Sequence, residues 1–300
     1  MSPDRAWFLD VGQGHAAVVV SDRWALIIDC PTGKDDSVRQ LLGDENAKLE
    51  DIFITHRDLD HCGGIPALLE NPGATHVHMH LGFALPPERK AKARIKAVLS
   101  SIFSIVERDG VRLSHSETAG VSGQLGSVTW QLLSPSAVMV GQAALNDQTN
   151  RASMVVLLES SGTRVLVMGD ADDFAIQRMI DLDLDINVDA LLVPHHGAKL
   201  SKLDALLERA NPAVVVVSAG RVNGYGHPHA STLSRIAASR SVDLRCTQVS
   251  LTCHAGELAD TACAGSSCVQ FGGDPILVDG HAHRQRVAML ESPVCVNRSS

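Results

Sequence analysis

Aromatic side chains are scarce in this 300-residue chain: Phe, Trp and Tyr make up 3% of it, with a single tyrosine. A platform on which successive nucleic-acid bases stack needs more rings than that, which excludes a single-strand-binding module of that kind. Excess positive charge is also lacking. The formal charge is −8, so the molecule as a whole does not attract polyanions, and a nucleic-acid substrate would need local cations or bound metal. No apolar run approaches the roughly 18 residues that span a bilayer. The opening "MSPDRAWFLDVGQG" shows no charged segment leading into an apolar one, which sets the expectation of a cytoplasmic protein without membrane contact. Close Cys-x2-Cys pairs are missing too. Cys246, Cys253, Cys263 and Cys268 are spaced C-x6-C-x9-C-x4-C, so reduced thiols in a C-terminal cap are a plainer reading than a structural zinc.

What is present is an ordinary globular composition, 45% apolar and 20% charged, in a chain long enough to bury a substantial core. The apolar runs at 6–12, 15–21 and 24–30 are separated by turn signals and predict an antiparallel meander. A helical segment at 35–43, a strand at 51–56, a helix opening at "GGIPALLE" and a strand at 76–81 follow. Over 86–107, Ile95, Val98, Leu99, Ile102, Phe103 and Val106 form a stripe at helical spacing. Strands are predicted at 127–133, 153–158, 164–168, 188–193 and 213–218, with helices near 172–181, 201–210 and 230–239 between them. Two β-rich halves with helices outside imply two sheets packed face to face, an α/β sandwich of four layers. Composition changes only after about residue 245, where Cys and Gly accumulate; the expected division is a main domain at 1–245 and an extension at 246–300 packed on it.

Five short stretches each follow the C-terminal end of a predicted strand: Asp10–Gly14, His56–His61 ("HRDLDH"), Gly169-Asp170, Pro194–Gly197 ("PHHG") and Gly226–His229 ("GHPH"). Loops on a rigid sheet are where reactive groups are usually carried. Aligned at one edge, these would bring together at least four histidines and three aspartates, enough nitrogen and oxygen for two metal ions. Other features have plainer readings. His76, His78 and His80 point the same way on a strand, as a ligand set or, more simply, a solvated face. "ERKAKARIKAV" (88–98) puts five cations on a helix, either contacting phosphates or merely solvated. Gln13 and its glycines read as a tight turn, and Cys62 as a packing residue.

The stretches "DVGQG" (10–14), "LIIDC" (26–30), "THRDLDHCGG" (55–64), "LLSP" (132–135), "NRASMVVLL" (150–158), "LVMGD" (166–170), "DALLVPHHG" (189–197) and "VNGYGHPH" (222–229) run in an order that resembles the metallo-β-lactamase superfamily, and within it the hydrolase domain of ComEC-type DNA-uptake proteins. The resemblance implies an αββα sandwich with a metal site at one edge. Carried onto this chain, it places His56 and Asp58 on a first metal, Asp60 and His61 on a second, and Asp170 between them. The pair His195 and His196 matches the last ligand, with His195 taken ahead of His196. The superfamily's middle histidine has no counterpart; Asn150 stands in the matching segment as a possible amide ligand. His15 occupies a position where the relatives mostly carry aspartate.

Asp58 and Asn150 in place of imidazoles make the first half-site oxygen-rich, suited to Mn²⁺ or Mg²⁺ as well as Zn²⁺, with one or two ions bound. Such a site suits displacement at phosphorus. Asp60 or Asp170 would orient the attacking water, and His227 would donate a proton to the leaving oxygen. The expected activity is therefore a metal-dependent phosphodiesterase or nuclease on DNA or RNA. The alternatives are a hydrolase of a small ester or phosphodiester (a lactone, a phosphocholine-type diester or a cyclic nucleotide) and a non-catalytic accessory protein on the same fold. A protein partner encoded nearby is a further expectation; oligomeric state is not legible.

Overall fold

The computed structural model describes residues 3–70, 74–79, 90–221, 223–239, 242–248, 265–272 and 277–279. The chain opens with the expected antiparallel meander, β1 (Arg5–Phe8), β2 (Ala17–Ser21) and β3 (Trp24–Ile28). Helix α1 (Asp35–Asp44) then crosses over to β4 (Lys48–Phe53), parallel to β3. The short α2 (Leu59–Cys62) and α3 (Ile65–Glu70) precede β5 (His76–His78), and α4 (Lys90–Asp109) leads to β6 (Arg112–Ser114), both strands again parallel.

The second sheet starts with β7 (Ser122–Leu125) and β8 (Val128–Ser134). Helix α5 (Ala137–Asn146) intervenes before β9 (Val155–Ser160) and β10 (Thr163–Val167). Then α6 (Asp173–Asp181), β11 (Ala190–Leu192), α7 (Leu203–Ala210), β12 (Val214–Val217), α8 (Ala230–Ala238) and β13 (Asp243–Cys246) alternate, and β10 to β13 run parallel. Two late strands, β14 (Ser267–Gln270) and β15 (Leu277–Asp279), return to the first sheet beside β1. Among the described residues the sheets have eight and seven strands, ordered β15-β14-β1-β2-β3-β4-β5-β6 and β13-β12-β11-β10-β9-β8-β7.

Three apolar layers hold this together. Between the sheets, Phe8, Leu26, Ile28 and Phe53 meet Leu132, Val156, Val167 and Val216. Val18, Ile27, Ile52 and Ile54 on the other face of the first sheet pack on Val38, Ile65, Leu68, Leu99 and Ile102 of α1, α3 and α4. Leu166, Leu191 and Val215 pack on Ile176, Met179, Leu203, Leu206, Leu233 and Ile236 of α6, α7 and α8. Strands buried on both faces explain runs such as "VVVV" in β12, where every residue is buried. This is the αββα sandwich expected from the sequence.

Some elements differ from expectation. Phe103 is 42% exposed and Ile105 is buried instead, because α4 presents the 95, 98, 99, 102, 105, 106 face to the sheet. Residues 86–89 of that predicted helix lie outside the described residues. Strands β6 ("RLS") and β7 ("SGQL") were not expected, since neither carries an apolar alternation. Strand β14, from the Cys/Gly-rich tail, supplies backbone pairing to β1. No described helix is long and apolar enough to cross a membrane.

Candidate metal centre

The loops after β4, β10, β11 and β12 meet at one edge of the sandwich. After Phe53 the chain leaves the sheet, places Thr55 and His56 in the interior, and turns into α2, whose four residues carry Asp60 and His61. This turn is stitched from outside: His15 N–H donates to the Asp60 carbonyl (3.1 Å) and Cys30 N–H to the His61 carbonyl (2.7 Å). The stitch requires Gly14, with φ +123°, because a Cβ there would stand 2.5 Å from Pro31 Cγ and 2.6 Å from the Asp60 carbonyl oxygen. Arg57, 3% exposed, pairs with Asp147 at the end of α5. After β10, the Asp170 N–H donates to Ser153 Oγ (2.9 Å), and a Cβ on Gly169 would lie 2.4 Å from that same oxygen. His195 and His196 both adopt left-handed backbone (φ 53° and 54°), which costs about 1–2 kcal/mol each. Such conformations gather at functional sites.

Three buried imidazoles share one arrangement. His61 Nδ1–H donates to Asp29 Oδ2 (2.7 Å), His196 Nδ1–H to the Ser218 carbonyl (2.8 Å), and His56 Nδ1–H to Thr55 Oγ1 (3.1 Å). Thr55 Oγ1 in turn donates to Asp29 Oδ2 (2.6 Å). The three Nε2 atoms are thereby left facing Asp170: His61 and His196 at 3.1 and 3.4 Å from Oδ1, His56 at 3.7 Å from Oδ2. Asp60 Oδ2 is 3.6 Å from His196 Nε2, and Asp58 Oδ2 is 3.7 Å from His56 Nε2. Two ligand groups result, His56-His61-Asp170 and Asp60-His61-His196, each with ligand atoms within 4.8 Å of one another.

The electrostatics call for a cation where those atoms converge. Burial and the neighbouring His61 push His56 down to about 3, so its ring is neutral and its Nε2 lone pair free. Burial also disfavours a charged His61 and His196, yet the facing Asp170, with Asp29 behind His61 and Asp60 beside His196, holds both above the ordinary histidine value. Burial opposes ionisation of Asp170 as well; His61 and His196 hold its carboxyl well below the usual range. His56 Nε2 and Asp170 Oδ1 are buried without hydrogen-bond partners. Imidazoles with anchored outer nitrogens around a shared carboxylate fit a divalent metal.

A family model described as the metallo-beta-lactamase superfamily matches residues 9–221. The chain belongs to the metallo-beta-lactamase superfamily. Among curated proteins it is similar to ComE operon protein 3 of Bacillus subtilis, 25% identical over 62% of this chain and 22% of that protein. It is also similar to Recombination protein 2 of Haemophilus influenzae, 28% identical over 78% of this chain and 26% of that protein. The chain thus spans about a quarter of the length of these relatives. Among solved structures it is similar to the metallo-beta-lactamase fold protein YhfI of Bacillus subtilis, with 9% identity and a TM-score of 0.50, covering 82% of this chain and 97% of that one. Superfamily membership and the clustered ligands together support a metal-dependent hydrolase.

Within this superfamily member, the motif residues His56, Asp58, Asp60 and His61 meet Asp170 and His196 as described. His195 takes a different place from His196: it is 29% exposed, with Nε2 3.7 Å from Asp170 Oδ2. Asn150 touches it, its side-chain nitrogen 3.3 Å from both ring nitrogens. The His227 ring lies 5.3 Å from that of His195. Gln13 accepts from Gly220 N–H (3.3 Å), a structural contact within the turn. Cys62 is buried with Sγ against the Arg57 carbonyl (3.1 Å). Cys246 and Cys268 are buried on strands of different sheets; Cys253 and Cys263 lie outside the described residues. Arg94 and Lys96 are exposed on α4, as a solvated face would be. His78 is 3% exposed, so the solvated-strand reading fails there because the second sheet covers it; His80 lies outside the described residues.

Sequence reasoning assigned no role to Asp29, Thr55 or Ser218. Asp29 follows a wholly apolar strand with φ 63° and accepts four hydrogen bonds, including Thr55 N–H (2.7 Å) and His15 Nδ1–H (3.1 Å). A carboxylate directly after "LII" was the available signal. Thr55 and Ser218 act through oxygen atoms whose partners only the fold brings near.

Proposed function

We propose that this chain is a phosphodiesterase, and specifically a nuclease of the ComEC-type, using Mn²⁺ or Zn²⁺ held in two half-sites. The observation that carries the reading is the asymmetry around Asp170. His61 and His196 with Asp60 make one half; the other combines His56 and His195 with the oxygens of Asp58 and Asp170, an oxygen-rich set suited to a hard ion. When bound, such ions lower the pKa of water and stabilise charge on a phosphoryl group.

The chain's own residues do the rest. Asp170 spans the halves through its two oxygens, while Asp60, with 30% of its side chain exposed, accepts a hydrogen bond from water entering the site and orients it. Asn150 orients His195. Burial and the neighbouring His195 and His196 push His227 down to about 4, so at pH 7 it is neutral. It therefore acts by hydrogen-bonding the leaving oxygen through a ring N–H, rather than by carrying the extra proton expected from the sequence. Recombination protein 2 is named for recombination, which supports a nucleic-acid substrate here. Tyr225, 68% exposed, stacks on His227 at the rim (5.8 Å, 24°) and offers one face to a base.

The test is a substrate panel of single-stranded and duplex DNA, RNA and bis-p-nitrophenyl phosphate with Mn²⁺ or Zn²⁺ added. Cleavage of polynucleotide that Asp60→Ala abolishes is the expected result. Hydrolysis confined to small diesters would replace the nuclease with the narrower reading. No turnover of any phosphodiester by a metal-loaded protein would sink the proposal.

A further inference from the structure

A second group of potential ligands lies away from the Asp170 cluster, on the inner face of the first sheet. Strands β4, β5 and β6 are aligned so that Asp51 is level with His76 and Arg112, and Phe53 with His78 and Ser114. All six side chains therefore project from one face. His78 stacks flat on Phe53 (4.2 Å, 2°) and meets Trp130 of β8 edge-on (5.1 Å, 72°), which fixes its ring. The His76 ring lies beside it at 3.8 Å.

The outer nitrogen of each ring is already taken. His78 Nδ1–H donates to Glu117 Oε1 (2.8 Å), and His76 Nε2–H donates to Ser114 Oγ (2.6 Å). That leaves His78 Nε2 and His76 Nδ1 both facing one oxygen, Asp51 Oδ1, at 3.4 and 3.7 Å. These separations are long for hydrogen bonds. They approach the ligand-to-ligand edge of about 3.3 Å expected for a tetrahedral ion with bonds of about 2.0–2.1 Å. The three atoms lie within 4.8 Å of one another. A carboxylate behind one ring and a hydroxyl behind the other are the outer partners that metal-bound histidines usually have.

We propose that Asp51, His76 and His78 form a separate Zn²⁺ site, with Glu117 and Ser114 orienting the two imidazoles and solvent completing the coordination. Access is from the His76 side, where 16% of the side chain is exposed against 4% for His78. The charged groups around the site are Asp51, Glu117 and the exposed Arg112, two carboxylates against one cation. Three protein ligands leave an open position. The ion would tie β4 to β5, and through the outer partners to β6 and the segment after it.

The test uses the full chain. Wild type and His76→Ala are equilibrated with Zn²⁺, desalted and assayed for zinc per chain, and Co²⁺ titrations are followed by visible absorbance. His76→Ala is expected to lose one zinc equivalent and part of the Co²⁺ spectrum, whereas Asp170→Ala keeps that equivalent. Equal zinc in wild type and His76→Ala would overturn the proposal. A measurement on the wild type alone guards against misfolding of the variant: zinc titration followed by long-range ¹H–¹⁵N correlation of the histidine rings. Shifts of His76 Nδ1 and His78 Nε2 are expected, and unmoved resonances at saturating zinc would refute the site. Hydrolysis is not a readout, so failure of the phosphodiesterase reading leaves this test standing.

Discussion

Asp170 faces four imidazoles, and its position explains why single residues at this edge should have large effects. Asp170→Ala removes the carboxylate shared by both half-sites; metal analysis is expected to show loss of bound ion, and hydrolysis to fall at least about 100-fold. Asp29 never faces the centre, yet it anchors His61 directly and His56 through Thr55. Asp29→Asn is therefore expected to weaken metal binding by about 10–100-fold while leaving the ligands in place, read by competition with a chelating dye. Tyr225 works at the other extreme, on the rim. Tyr225→Ala is expected to raise KM for a polynucleotide by about tenfold, the worth of one stacked base, and to leave kcat for bis-p-nitrophenyl phosphate unchanged. Equal loss on both substrates would remove Tyr225 from substrate binding.

At the scale of elements, short turns hold the reactive loops in register. Gly14→Ala places a methyl group against Pro31 and the Asp60 carbonyl in a backbone conformation that L side chains avoid. Urea unfolding is expected to show a loss of about 2 kcal/mol or more, together with weaker metal binding as the α2 turn shifts. Helix α6 is joined to the start of α7 by Asp173, which accepts from Ser201 N–H and Oγ–H (3.0 and 2.8 Å) and Lys202 N–H (2.8 Å). Partial burial opposes its ionisation, but the Lys202 and Ser201 donors hold its pKa below the ordinary aspartate value. A depressed folded-state pKa contributes stability above the unfolded-state pKa, and that stability is lost as pH falls through the folded value. Asp173→Asn is thus expected to destabilise by about 1 kcal/mol at pH 7, discounted for solvent exposure, with the difference from wild type vanishing in acid.

Over the whole molecule, the ligands are divided between the sheets. His56, Asp58, Asp60 and His61 follow β4 of the first sheet; Asp170, His195 and His196 follow β10 and β11 of the second. A bound ion therefore clamps one sheet to the other at their shared edge. Chelation is expected to lower Tm, and Mn²⁺ or Zn²⁺ at about 100 times its Kd to restore about 2.7 kcal/mol, checked by thermal unfolding with hydrogen exchange on β4 and β10. Unchanged Tm under chelation would mean that the clamp contributes nothing.

Periodicity and turn residues alone determined the meander, the alternation of strands with helices and hence the four layers, because runs buried on both faces leave a continuous apolar record in the chain. The spacing "HRDLDH" likewise marked a ligand set, since six positions in one tight turn must stay close in space. Tertiary structure decided what sequence separation hides. Asp29 and Ser218 became anchors for rings 32 and 22 residues away, His195 and His196 were sent to different places by two left-handed residues in succession, and His78 was buried by Trp130 from another sheet. Those outcomes depend on which loops share an edge and which strands share a register. Local sequence carries no term for either.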